Sequence, residues 1–172
     1  MEKDLLKKAK AKQDEIKVSV SCLTYNHEKY IRKCLDGFVN QKTDFKFEVL
    51  IHDDASTDGT ADIIKEYEQR YPDIIKPIYQ TENQHSKGVK ISKIYQFPRV
   101  KGKYFALCEG DDCWIDSNKL QKQHDFLENN PEYSTCVHCA IFHSVSDDKD
   151  TIVPEISEDI DITIDDAIIG GG

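Results

Sequence analysis

The sequence predicts an α/β fold with a mostly parallel sheet covered by helices on both faces. Short apolar runs alternate along the chain with segments of helical periodicity, in the order β-α-β-α-β-(α)-β-α-β. Strands that alternate with helices pair in parallel, because each helix carries the chain back to the same end of the sheet. The 172 residues of the chain suffice for one domain with a substantial core.

The first half of the chain predicts three strands and two helices. Alternating side chains predict a strand over Ile16–Thr24, and helical spacing predicts a helix over His27–Gln41. A second strand covers Phe45–His52 and is followed by a helix that ends at Pro72. A third, short strand covers Ile74–Tyr79.

The second half continues the same alternation. Its predicted elements are a helix over Ile91–Val100 that Pro98 interrupts, a strand over Lys103–Cys108, a helix over Lys119–Asn129 capped by Asn118, and a strand over Ser134–Val145. These elements predict a main domain over residues 16–146. Residues 1–15 are interpreted as a charged helix or arm, and residues 147–172 as an acidic tail.

Composition excludes several classes of function. The net charge of −9 and the lack of a dense basic patch argue against nucleic acid as a partner. No apolar stretch reaches the length of a membrane span, and the N-terminus lacks the apolar region of a signal peptide. The six cysteines lie mostly within apolar runs, which is typical of free thiols in a reducing compartment.

Three carboxylates follow the strand that ends near Cys108. Glu109, Asp111 and Asp112 come directly after an apolar run, at the sheet edge where open α/β sheets bind ligands. Like charges at this spacing repel one another, and a divalent cation removes that penalty. Oxygen ligands suit Mg²⁺ or Mn²⁺, which often bind a substrate phosphate as well. The motif is therefore interpreted as a metal–diphosphate site; a solvated acidic turn is the alternative.

A second acidic pair, Asp53 and Asp54, closes the second strand. Carboxylates there can bind a ring N–H or ribose hydroxyls, whereas helix capping explains only the nearby Asp58. The turn Thr24-Tyr25-Asn26 also follows a strand and can meet a nucleotide, or it can hold a packed aromatic and a cap. Two acidic pairs at one edge of the sheet favour a nucleotide–metal site.

The polar loop over residues 80–90 contains two basic candidates for phosphate binding. Lys87 and Lys90 are the lysines of this loop. Plain solvation of a loop lysine is the alternative interpretation. A Walker-type site is excluded, since its GxxxxGK[ST] pattern is absent from the sequence.

Three strings of this sequence resemble the family-2 glycosyltransferases of the GT-A fold. They are Val18–Asn26, Glu48–Thr60 (with DDxSxDGT) and Glu109–Asp112, and the last overlaps the string GDDxWxDxxKLxxQ, which suggests bacterial members. The similarity covers about residues 16–145. It implies transfer of a sugar, with inversion, from a nucleotide-diphosphate donor to an acceptor hydroxyl, in surface polysaccharide or glycan synthesis.

The resemblance and the residue patterns together give the expected site. The expected donor-binding residues are Thr24, Tyr25, Asn26, Glu28, Asp53, Asp54, Ser56, Lys87, Glu109, Asp111 and Asp112. Asp111 and Asp112 are the expected ligands of Mn²⁺ or Mg²⁺. The resemblance favours a UDP-sugar donor, a glycan or lipid-linked acceptor, and a cytoplasmic location, at the inner face of the membrane.

The general base is expected beyond residue 172. In the family it is usually an Asp well downstream of the metal motif, and none of Asp159, Asp161, Asp165 and Asp166 has a recognisable context. The chain is thus interpreted as the donor-binding part of a larger enzyme. A non-catalytic nucleotide-sugar-binding module is the alternative. A receiver-like phosphoryl-transfer domain fits less well, because the first strand does not end in an acidic pair.

Overall fold

The computed structural model of the protein describes residues 15–144, 146–154, 158 and 160–161. The described residues form two compact units, divided between Glu132 and Tyr133. The sequence placed the end of the main domain later, at residue 146. The predicted N-terminal arm, apart from Glu15, lies outside the described residues, as does much of the acidic tail.

A four-stranded parallel sheet forms the centre of the first unit. Its strands are β1 (Ile16–Thr24), β2 (Lys46–Asp53), β3 (Ile75–Tyr79) and β4 (Tyr104–Leu107). Each bound lies within one residue of the prediction. The strand order is β3-β2-β1-β4, with every neighbouring pair parallel. Because β1 lies between β2 and β4, the loops that follow these three strands leave one edge of the sheet side by side.

Within the described part of the chain, three α-helices accompany the sheet: α1 (Ile31–Val39), α2 (Thr60–Arg70) and α3 (Lys119–Asn129). The bounds of α3 match the prediction, although the Asn118 side chain makes no capping hydrogen bond. Asp116 instead accepts a hydrogen bond from the Asn118 N–H, at 2.8 Å. In the described part of the chain, no helix is both long and apolar enough to cross a bilayer.

Both faces of the sheet are covered. Val18, Val20 and Cys22 alternate along β1 and are buried in one core with the apolar stripes of α1 and α2. On the opposite face, the Tyr95 ring lies 5.0 Å from the His52 ring, and the buried Gln96 donates a hydrogen bond from Nε2 to a carbonyl of β2, at 2.9 Å. The predicted parallel α/β architecture is therefore confirmed.

The helix predicted over Ile91–Val100 has a different form. A π-helical turn over Ser92–Gln96 is followed by a 3₁₀ turn over Phe97–Arg99. Pro98 has no N–H to donate, so it cannot continue an α-helical ladder through this segment. The two short turns still cover the second face of the sheet.

The second unit corrects the prediction of a buried strand over Ser134–Val145. Among the described residues 134–144, the strand covers Ala140–Ser144 (β5), and it pairs in antiparallel register with Lys149–Val153 (β6). Both strands are largely exposed. The apolar run indicated the type of element correctly but not its partner. A short acidic turn, with Asp148 at φ 53°, returns the chain into a hairpin.

Candidate functional site

Three loops meet at the carboxyl edge of the parallel sheet. They follow β1, β2 and β4, and they carry nearly all of the predicted site residues. The Asp54 N–H donates to the Thr24 carbonyl at 2.9 Å, and the Gly110 N–H donates to the Leu23 carbonyl at 2.9 Å. The two acidic segments therefore flank the turn that leaves β1, as the strand pattern predicted.

Gly110 brings the acidic segment after β4 directly against this turn. A Cβ atom on Gly110 would lie 2.7 Å from Thr24 Oγ1 and 2.8 Å from His27 Nδ1. Only glycine allows such a close approach without a shift of the neighbours. Thr24 Oγ1 and His27 Nδ1 are buried and make no hydrogen bond within the described part of the chain.

The turn after β1 is joined to the loop after β2 by side-chain hydrogen bonds. The Asn26 N–H donates to Ser56 Oγ at 2.9 Å, and Asn26 Oδ1 accepts from the Thr57 N–H at 2.8 Å. Glu28 Oε2 accepts from the Gly59 N–H at 3.2 Å. Asn26, Glu28 and Ser56 were predicted to bind the donor; here their polar atoms hold the two loops together.

Asp54 fixes the segment that follows β3. Its buried carboxylate accepts hydrogen bonds from the Gln84 N–H at 2.8 Å and the His85 N–H at 2.9 Å, and His52 Nε2 lies 3.4 Å away. Burial by itself would raise the pKa of Asp54, but these hydrogen bonds outweigh burial and lower it. Asp54 thus positions a loop at the edge of the site.

Asp53 ends β2 and is buried beside Ser56. Its Oδ1 accepts a hydrogen bond from Ser56 Oγ. Burial raises the pKa of Asp53, and the hydrogen bonds from Ser56 offset part of that rise. The nearby Tyr25 ring is exposed. Of the residues predicted to hold the nucleoside, Tyr25 and Asn26 are exposed, whereas Thr24, Asp53 and Asp54 are buried.

The acidic segment after β4 presents three exposed carboxylates: Glu109, Asp111 and Asp112. Asp111 Oδ2 lies 3.8 Å from Nε2 of His27. Desolvation of the carboxyl group and the charges of the two aspartates raise the pKa of Glu109. The sequence analysis did not identify His27 as a neighbour of this segment, because only the fold brings the two loops together.

The chemistry of these carboxylates fits Mn²⁺ or Mg²⁺. Asp111 and Asp112 carry adjacent carboxylates, whose oxygens are of the hard type that these cations prefer, and the Asp111 side chain is 52% exposed. Among the residues that the structure describes, no group of three His, Cys, Asp or Glu side chains is close enough to enclose a metal. Two carboxylates leave coordination positions for water and for phosphate oxygens, as Mg²⁺ usually requires.

A cavity of about 380 Å³ opens beside the end of β1. Its lining consists of Leu23, His85, Gly88, Val89, Lys90, Ile91 and Ser92. Lys87, the predicted phosphate partner, is absent from this lining and forms an ion pair with Glu82. Lys90, the second lysine of the loop, lines the cavity. It is therefore better placed than Lys87 to meet a ligand in this cavity.

The carboxylates of the acidic tail have few described contacts. In the second unit, Asp161 Oδ1 accepts a hydrogen bond from the Tyr133 hydroxyl at 2.6 Å. Asp159, Asp165 and Asp166 lie outside the described residues. The expectation of a general base elsewhere in the protein stays a prediction.

Comparison with known sequences gives a consistent family. The glycosyl transferase family 2 model matches residues 19–158. An uncharacterized protein of Mycobacterium tuberculosis is 42% identical over 148 residues, which are 86% of this chain and 42% of that protein. The poly(ribitol-phosphate) beta-glucosyltransferase of Bacillus spizizenii is 32% identical over 118 residues, covering 67% of this chain and 18% of that protein. The chain thus spans less than half the length of these relatives.

Solved structures show the same fold. Staphylococcus aureus TarS in complex with UDP-GlcNAc matches 67% of this chain and 32% of its own, with a TM-score of 0.57 and 30% identity. The mannosyltransferase PcManGT of Pyrobaculum calidifontis, in complex with GDP-Man and Mn²⁺, matches 66% and 32%, with a TM-score of 0.56 and 25% identity. The parallel sheet, the loops at its carboxyl edge and the family match lead to one conclusion: the chain belongs to glycosyl transferase family 2.

Proposed function

We propose that the carboxyl edge of this sheet binds a nucleotide-diphosphate sugar, with a UDP-sugar favoured, and that the protein transfers the sugar with inversion to an acceptor hydroxyl. The observation that carries this proposal is the close packing of the acidic segment onto the turn after β1, through Gly110 and Thr24. That packing supports the proposal because it brings the segment with Glu109, Asp111 and Asp112 against the turn that carries Tyr25. A nucleoside diphosphate would need a cation for its phosphates and a separate contact for its nucleoside.

The nucleoside would lie against the loops after β1 and β2. Tyr25 offers an exposed ring for stacking, and Asp53 offers a carboxylate for a ring N–H or a ribose hydroxyl. Asn26, Glu28, Ser56 and Asp54 keep these loops in place through the hydrogen bonds described above. The cavity lined by Lys90 lies along the same edge and has room for further parts of the donor.

The diphosphate would lie against Asp111 and Asp112 through Mn²⁺ or Mg²⁺. The bound cation would neutralise charge that builds on the leaving diphosphate. Glu109 precedes the two aspartates in the same segment, and its longer side chain would accept a hydrogen bond from a ribose hydroxyl. Net charge supports the need for a cation, since the chain carries −9 and offers few basic residues at this edge.

The acceptor is proposed from the relatives. The Bacillus spizizenii relative is a poly(ribitol-phosphate) beta-glucosyltransferase, and a glycan or lipid-linked acceptor would suit this protein as well. The family resemblance supports a cytoplasmic location at the inner face of the membrane, and we adopt it as part of the proposal. Attack by the acceptor hydroxyl needs a general base within hydrogen-bond reach.

Calorimetric titration of UDP into the protein tests the donor site. We expect binding in the presence of Mn²⁺ and a large loss of affinity in EDTA. Asp111→Asn should abolish the metal-dependent part while the thermal unfolding temperature stays unchanged, because this side chain is exposed. Asp62→Asn, on the exposed surface of α2, is the matched control and should bind as the wild type does.

Two results would count against the proposal. Equal UDP affinity in Mn²⁺ and in EDTA would remove the metal–diphosphate role of Asp111 and Asp112. No binding of UDP or GDP by a folded sample would remove the donor site altogether. Binding followed by no sugar transfer to any supplied acceptor would favour the alternative of a non-catalytic nucleotide-sugar-binding module.

A further inference from the structure

One face of α1 contacts the acidic segment at Glu109 and the chain just after it at Trp114. Cys34 Sγ donates to the Glu109 carbonyl at 3.4 Å, and the Phe38 ring packs edge-on against Trp114 with centroids 4.9 Å apart. A Cβ atom on Gly37 would lie 2.9 Å from the Trp114 carbonyl oxygen. Cys34, Gly37 and Phe38 share one face of the helix by their spacing.

Gln41 extends this face by one more turn, just beyond the end of α1. Its buried side chain uses both ends of the amide. Nε2 donates to the Asp116 carbonyl at 2.8 Å and to the Gly37 carbonyl at 3.1 Å. Oε1 accepts from the Leu120 N–H at 3.0 Å.

These bonds hold the chain at the far end of the acidic segment. Asp116 follows the carboxylates by four residues, and Leu120 lies in the first turn of α3. The neighbouring Lys42 N–H adds a hydrogen bond to the Ser117 carbonyl at 2.7 Å. The segment between Gly110 and Asp116 is therefore fixed at one end by β1 and at the other by Gln41.

We infer that Gln41 is a positioning residue for the metal–diphosphate site, an inference that rests on the proposed function. Its side chain sets the path of the segment that carries Asp111 and Asp112, without touching the donor. The nucleoside loops after β1 and β2 make their own hydrogen bonds and do not depend on this amide. Loss of the Gln41 bonds should weaken diphosphate–metal binding and spare nucleoside binding.

Gln41→Met tests the inference, since methionine keeps the length and volume of the side chain and removes its hydrogen bonds. Gln41→Glu is a second variant, which keeps the acceptor for the Leu120 N–H and loses the donors to Asp116 and Gly37. Gln121→Met is the matched control. Gln121 also joins the chain after α1 to α3, by accepting from the Asp44 N–H at 2.9 Å, but away from the site.

Two measurements distinguish positioning from general stability. Trp114 is the only tryptophan of the sequence, so acrylamide quenching of its fluorescence in the native protein reports on the segment directly. Calorimetry gives the affinity for UDP with Mn²⁺ and the affinity for uridine without metal. In both Gln41 variants we expect stronger quenching and about a tenfold loss of Mn²⁺–UDP affinity, equivalent to about 1.4 kcal/mol. Uridine affinity should stay unchanged, and the Gln121→Met control should match the wild type.

Unchanged Trp114 quenching in Gln41→Met would overturn the inference, as would an equal loss of affinity for uridine and for Mn²⁺–UDP. If the wild type itself binds no UDP, the proposed function fails. The quenching comparison then decides separately whether Gln41 holds the segment. A failure of the proposed function and a failure of the inference about Gln41 can thus be distinguished with the same samples.

Discussion

Asp54→Asn tests whether this predicted donor ligand has a structural role. The carboxylate of Asp54 is buried, and its two oxygens accept hydrogen bonds from the backbone of Gln84 and His85. Asparagine keeps one carbonyl oxygen but replaces the other with an NH₂ group. One of the two backbone N–H groups then faces a donor and loses its partner.

The magnitude follows from these contacts. A buried donor left without an acceptor costs about 1–3 kcal/mol, and the remaining bond loses the assistance of the charge. We expect a loss of about 3 kcal/mol in the free energy of unfolding. For a chain of this size, each kcal/mol corresponds to about 2–4 °C in the unfolding temperature, so the expected fall is about 6–12 °C.

Thermal unfolding followed by circular dichroism is the assay, with Asp62→Asn as the control. Asp62 lies in the first turn of α2, and its side chain is 84% exposed and forms a surface ion pair with Lys65. An unfolding temperature of Asp54→Asn equal to that of the control would refute the structural interpretation. If nucleoside affinity then fell in a fully stable variant, Asp54 would be a ligand, as the sequence analysis predicted.

Three further predictions concern the close approach at Gly110, a buried hydrogen bond near the start of β1, and the pH dependence of the Asp54 contribution. Gly110→Ala should cost about 1–3 kcal/mol in unfolding free energy and weaken Mn²⁺–UDP binding, because the new Cβ atom would overlap Thr24. Urea unfolding measures the stability, and calorimetry measures the affinity. Wild-type stability and affinity in this variant would contradict the close packing. Ser19→Ala should lower the free energy of unfolding in urea by about 2–3 kcal/mol, since the buried Ser19 Oγ donates to Glu48 at 2.8 Å and accepts from the Gly102 N–H at 2.9 Å. A loss of stability no larger than that of an exposed serine variant would argue against a stabilising role of these hydrogen bonds. Because the folded-state pKa of Asp54 is lowered, the stabilisation by its carboxylate is complete above the ordinary carboxyl pKa of about 3.9 and is lost as the pH falls below that value. The difference in unfolding free energy between wild type and Asp54→Asn should therefore shrink below about pH 4. A difference that stays constant would show that Asp54 is not the titrating group.

Local patterns in the sequence predicted the parallel sheet well. The alternation over Ile16–Thr24 and the short apolar run before Cys108 both indicate strands, although β4 is only partly buried and its Leu107 is exposed. The same patterns predicted that acidic side chains would meet at one edge. That inference needs only strand direction, which the intervening helices determine.

The sequence did not predict which of the candidate site residues make hydrogen bonds that hold the loops of the site together. Asn26 and Glu28 look like ligands in the sequence, yet their partners are backbone N–H groups about thirty positions away. Gln41 carries no local signal at all, because an amide at the end of a helix is ordinary. The prediction of a fifth strand over Ser134–Val145 was wrong about its pairing for a related reason. An apolar run predicts a strand but does not determine the strand with which it pairs.

The hydrogen bonds between the loops after β1 and β2 have a consequence for protein engineering. Asn26 and Glu28 accept N–H groups from the second loop, while Ser56 and Asp58 accept N–H groups from the first, at 2.9 and 3.1 Å. The hydrogen bonds therefore run in both directions, and each loop supplies acceptors for the N–H groups of the other. A chimera that imports only one of them from a relative would leave N–H groups without acceptors. Importing both together would preserve the pairing, so an exchange of the proposed nucleoside loops should move the two as a pair.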